Sequence, residues 1–121
     1  MFLLLAASLI LVFCGLIHSY LGERLILTRL FKRDNLPHLY GSDEFTKGTL
    51  RFAWHITSFA WFGFAAIISF QKMHSNLFLY TVSVVFLASA IFSAYFTKCK
   101  HFSWVLFSTI SLLTFLSVTH G

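Results

Sequence analysis

Charge is scarce in this sequence: Asp, Glu, Lys and Arg make up 11% of the residues, against about a quarter in an ordinary soluble domain. With 58% of the residues hydrophobic, a soluble globular fold is excluded. Proline is scarcer still, since Pro37 is the only one. Cysteine is limited to Cys14 and Cys99, which form neither a CxxC pair nor a disulfide framework. Cys14 reads as a small residue for helix packing and Cys99 as a loop thiol. Internal repeats and low-complexity linkers are missing, so a single domain over 1–121 is expected. The first apolar run has no basic leader and no small-x-small cleavage site, which argues for a mature helix rather than a cleaved signal peptide.

What charge there is lies in clusters. It falls between Glu23 and Arg51, at Lys72, and at Lys98 and Lys100. Four uncharged stretches remain, each long enough for the roughly 20 residues a helix needs to cross a bilayer core. The expected fold is therefore all-α: an integral membrane four-helix bundle, antiparallel and up-down, with spans at about 2–21, 50–70, 77–97 and 102–119 and a loop over 22–49. Loop charge sets the orientation. Arg24, Arg29, Lys32, Arg33, Lys47 and Arg51 precede span two and Lys98 and Lys100 precede span four, whereas the opposite face has only Lys72. The positive-inside rule then places the 22–49 loop in the cytoplasm and both termini on the outer, periplasmic side of a bacterial inner membrane. The net charge of +5 is explained by topology and anionic headgroups, and nucleic acid is not an expected partner. The sixteen phenylalanines read as lipid-facing and packing residues, because nucleic-acid binders interleave aromatics with exposed basic residues on a soluble surface.

Local signals refine the elements. After Gly22 the chain is expected to continue as an interfacial helix with alternating apolar and basic residues. Asn35, Pro37, Gly41, Ser42 and Gly48 are turn formers, with a short surface helix expected near Ser42 to Phe45. The short connection from Gln71 to Asn76 makes spans two and three antiparallel neighbours. Trp54 is expected as an aromatic-belt anchor. Ser83, Ala90, Ala94 and Thr97 form a small-residue seam on span three.

Two histidines lie inside apolar spans. His18 and His55 sit about one turn from the same membrane face, on adjacent antiparallel helices, and an intramembrane ionisable group calls for a partner. Facing imidazoles in a helical bundle are a usual design for haem or metal ligation. The small residues Cys14, Gly15 and Gly22 near His18, and Phe52, Phe59, Phe62 and Ala66 near His55, suit the edge and face of a porphyrin. His18 and His55 are therefore the candidate cofactor or metal ligands, for haem b or a transition metal. The bland alternative has each ring bonded to Ser19, Thr57 or a backbone carbonyl. Glu23 and Arg51 are candidates for orienting an imidazole from the mouth of the bundle. Cys99 and His101 resemble a fragment of a soft-metal site and would need His38 or His18 from elsewhere to complete it. Met73 with His74 is a thinner copper suggestion.

The segments LIHSYLGERL and LRFAWHITSFAW resemble those of small four-span bacterial inner-membrane proteins, over roughly the first two spans. That resemblance implies architecture and orientation, and it carries no catalytic role. Small multidrug exporters have a glutamate deep in span one that this chain lacks, and disulfide-oxidising membrane proteins have paired cysteines that it also lacks. The functional readings are a redox or metal protein centred on His18 and His55, a cofactor-free accessory subunit of a larger complex using the seam, and an oligomeric small transporter with His18 and Glu23 as proton-linked groups.

Overall fold

A computed structural model describes residues 1–70 and 75–120. Within them the regular secondary structure is helical, joined by turns and a loop over 31–43 that holds one isolated bridge between Leu39 and Ser42. Four main helices form: α1 (Phe2–Leu21), α3 (Glu44–Phe70), α4 (Asn76–Thr97) and α5 (Ser103–Thr119), with a single helical turn, α2 (Thr28–Leu30), after α1. Three helical segments, Phe2–Leu30, Glu44–Ser69 and Asn76–Tyr95, are long and apolar enough to cross a membrane. The expected fourth span is the shorter α5 of 17 residues. At 1.5 Å per residue it covers about 25 Å, a few ångströms less than a typical hydrocarbon core of about 30 Å.

α1 does not stop at Gly22. Gly22 keeps helical torsions, and its N–H bonds back to the His18 carbonyl. The next six residues, Gly22–Leu27, widen into a π-helical segment, with the Thr28 N–H reaching the Glu23 carbonyl five residues back. The continuation expected after Gly22 is thus part of one uninterrupted helical rod. The short surface helix expected near Ser42 is instead the beginning of α3, which starts at Glu44 and takes in Gly48. Ahead of it, Tyr40 and Gly41 both have positive φ and close a tight reverse turn, with the Leu39 N–H donating to the Ser42 carbonyl at 2.9 Å.

α1 packs against α3 and α5, and α5 packs against α4. Leu11, Ala65, Ile68, Val82, Phe86, Ala90, Phe107 and Ile110 form one buried cluster drawn from all four main helices. The short 71–75 connection does not give α3 and α4 a close backbone approach among the described residues. They meet through side chains, the Phe64 and Phe86 rings lying 6.1 Å apart. α1 takes the close place beside α3 because its inner face is small. Ser8, Gly15 and Gly22 are buried there against Ala65, Phe62 and Trp54, and small residues let helices approach in a membrane. A Cβ on Gly15 would collide with Phe62, and one on Gly22 with the Trp54 indole.

Polar atoms inside this core are paired. Ser8 Oγ donates to the Ala65 carbonyl at 3.2 Å, tying α1 to α3. Ser83 and Ser111 clasp α4 to α5, their hydroxyl oxygens lying 2.8 and 2.9 Å from each other's backbone carbonyl. Part of the seam expected for a partner is therefore used within the fold, since Ser83 and Ala90 are buried.

Candidate functional site

The α1/α3 seam ends at the basic side in two clusters, one on each flank. On the first flank, His18 and Trp54 grip each other's helix. The Trp54 indole N–H donates to the His18 carbonyl at 3.1 Å, and His18 Nε2 lies 3.2 Å from the Trp54 carbonyl. A carbonyl oxygen only accepts, so Nε2 carries the proton. In the neutral ring this leaves the lone pair on Nδ1, which has no hydrogen-bond partner among the described residues. The two rings stack at 4.8 Å with planes 4° apart, and Trp61 meets the imidazole edge-on at 4.9 Å. Trp54 is thus a clamp on His18 and more than a lipid-facing anchor.

On the second flank, both nitrogens of His55 are engaged. Nδ1 lies 2.9 Å from Ser19 Oγ and Nε2 lies 3.1 Å from a Glu23 carboxylate oxygen. Ser19 donates onward to buried Ser58 at 2.7 Å. Arg51 approaches Glu23 as a fork, Nη2 at 2.7 Å on one oxygen and Nε at 3.1 Å on the other, the bidentate geometry that strengthens such pairs. The Arg51 guanidinium also lies over the Phe31 ring at 5.0 Å. Glu23 thus contacts the His55 imidazole, and Arg51 reaches that imidazole only through Glu23. Ser19 and Ser58 complete the network. Their signal in the sequence is the spacing Ser19–Glu23 and Arg51–His55–Ser58, each step three or four residues and so one helix face.

His18 and His55 lie on opposite flanks of the seam. His18 lines a cavity of about 590 Å³ together with Trp54, Trp61, Lys100 and His101. His55 lines a smaller groove of about 470 Å³ with Ser19, Glu23 and Arg24. The histidine that shares a cavity with His18 is His101, on the turn between α4 and α5. Its Nδ1 lies 2.8 Å from Ser103 Oγ and accepts the Ser103 N–H at 3.2 Å. Phe59 and Phe62 line the His55 groove, and Phe52 is not among its lining residues.

Among the described residues, no three of His, Cys, Asp and Glu converge as a metal-ligand set. Cys99 is exposed and carries a free thiol, Cys14 is buried, and His38 is exposed in the loop. The Met73 and His74 pair lies outside the described residues. In the loop, Lys47 lies 2.7 Å from Asp43, and its ammonium holds the Asp43 carboxyl below the usual carboxylate range. Compared with protein-family models, with curated proteins and with solved structures, this chain finds no match in any of the three.

Proposed function

We propose that this chain is a small multi-pass protein of a bacterial inner membrane, its basic face cytoplasmic and both ends outside, and that it binds a flat, acidic-edged cofactor of the haem type. The observation that carries this reading is the cavity between α1, α3 and α5. Its volume, about 590 Å³, lies within the roughly 300–1,000 Å³ usual for small-molecule sites. Its walls are mainly apolar and aromatic, and its polar groups are few: His18, His101, Lys100 and Ser103. Zinc or copper held by protein alone asks for three or four ligands, and no such set converges among the described residues. Haem iron arrives with its ring nitrogens already bound and needs only one or two axial ligands.

His18 is oriented for such a role by the Trp54 carbonyl, as second partners orient ligating imidazoles generally. Its candidate companion is His101 in place of His55, whose two nitrogens are both held by protein groups. Lys100 supplies a cation for acidic substituents. With iron bound, the activity would be one-electron transfer at the basic face. Of the seam on α4 that the accessory-subunit reading would use, Ser83 is bonded to α5, while Ala94 and Thr97 are only partly buried.

The test is an absorption spectrum, with metal analysis, of protein purified in mild detergent from cells supplied with haem precursor. A Soret band is expected, lost in His18→Ala, lost or shifted in His101→Ala, and retained in His55→Ala. A colourless, metal-free but folded protein sinks the proposal. Stoichiometric zinc or copper without the band replaces haem with a metal ion.

A further inference from the structure

The smaller groove, on the other flank of the α1/α3 seam, has a different chemistry. Its floor is apolar, with Gly15, Leu16, Phe59 and Phe62, and its mouth carries Tyr20, Glu23, Arg24 and His55. Glu23 is the only carboxylate among its lining residues, and it is already engaged: Arg51 contacts both oxygens and His55 shares one of them. Arg24 is left without a carboxylate. Its described partners are the Tyr20 hydroxyl, at 2.6 Å, and the Tyr20 ring, at 5.9 Å from the guanidinium carbon. One carboxylate thus stands against two guanidiniums, and the mouth is net positive. An amine or choline head meets a carboxylate whose charge Arg51 already offsets, whereas a phosphate finds a guanidinium with donors to spare.

The geometry points to a binding site for one anionic phospholipid. We propose that Arg24 holds its phosphate and that an acyl chain lies over Leu16, Phe59 and Phe62. The groove sits where α1 leaves its uncharged stretch, at the level where headgroups meet hydrocarbon. Gly15 contributes by letting Phe62 close the floor, since a Cβ at that position would collide with the ring. The site is separate from the cofactor cavity, so either can fail without the other.

Native mass spectrometry of the detergent-purified chain, mixed with phosphatidylglycerol or phosphatidylcholine, reads it directly. One retained phosphatidylglycerol per chain is expected, favoured about fivefold over phosphatidylcholine, the ratio one basic residue near anionic headgroups provides. Arg24→Gln removes the preference, while Lys32→Gln, at an exposed position away from the groove, keeps it. Leu16→Trp fills the groove and is expected to release both lipids while circular dichroism shows the helices intact. Equal retention of the two lipids overturns the proposal. So does an equal loss in Arg24→Gln and Lys32→Gln, which would mean diffuse attraction. Inorganic phosphate alone raising the melting temperature as much as phosphatidylglycerol does would assign the site to a free anion and overturn it as well.

Discussion

One residue of helix separates two environments at the centre of this protein. Consecutive residues in an α-helix point about 100° apart, so His18 and Ser19 leave α1 toward opposite flanks of the seam, as do Trp54 and His55 from α3. His18 therefore meets Trp54, and Ser19 meets His55. Counting residues between charged boundaries leads to the expectation of matching heights on the two helices, and the contacts across α1 and α3 agree with it. Such counting cannot show helix rotation, which depends on which side chains let the backbones close. Here Gly22 decides it. The Trp54 indole occupies the place a Cβ at Gly22 would take. Gly22→Ala should cost about 1–3 kcal/mol, the range for forcing extra volume into a packed site. Glu23→Gln should cost no more than about 1 kcal/mol, because the Glu23–Arg51 pair is partly exposed, with side chains 35% and 51% accessible. Gly48→Ala should go the other way. Gly48 sits inside α3 with open space around it, so alanine gains helix propensity of up to about 1 kcal/mol. Unfolding the three variants in mixed micelles with increasing SDS ranks them, and a Gly22→Ala variant as stable as Gly48→Ala would remove the close-approach argument.

Among whole helices, partners are chosen by small and hydroxylated faces more than by chain order. The brief 71–75 connection suggests α3 beside α4, yet α4 lies against α5, where serines interlock, and α3 lies against α1, where glycines do. Turn formers misled in the same way. Gly48 reads as loop in isolation, but the helix that starts at Glu44 runs through it into the apolar stretch and carries it along. The π-helical segment Gly22–Leu27 has no signature in residue type, although such segments recur at functional positions, and this one carries Glu23 to His55. The Ser83–Ser111 clasp is worth measuring by a double-mutant cycle with Ser83→Ala and Ser111→Ala. A coupling energy of about 0.6 kcal/mol is expected, the average for interhelical hydrogen bonds in a membrane bundle. Zero coupling would mean that the alanines recover by packing what the hydroxyls lose.

At the scale of the molecule, the surface is the clearest part of the sequence. Leu9, Phe59, Val84 and Phe92 are all more than 60% exposed, as expected where hydrocarbon is the solvent and apolar side chains need no burial. The proposed orientation rests on charge rather than on the fold, and the native cysteines give a direct way to test it. Cys99 is exposed in the turn with Lys98 and Lys100, whereas Cys14 is buried. In intact spheroplasts, a membrane-impermeant maleimide should leave Cys99 unlabelled and react with it only after permeabilisation. A His120→Cys variant, placed at the far end of α5 in a Cys99→Ser background, should react without permeabilisation. The reverse pattern would put Lys100 and His101 outside. The proposed cofactor cavity would then open toward the outer face, and any electron partner of a bound haem would have to be sought there instead of in the cytoplasm. Labelling of both positions in intact cells would mean that the eight basic residues on one face against Lys72 on the other are too small an imbalance to fix a single topology.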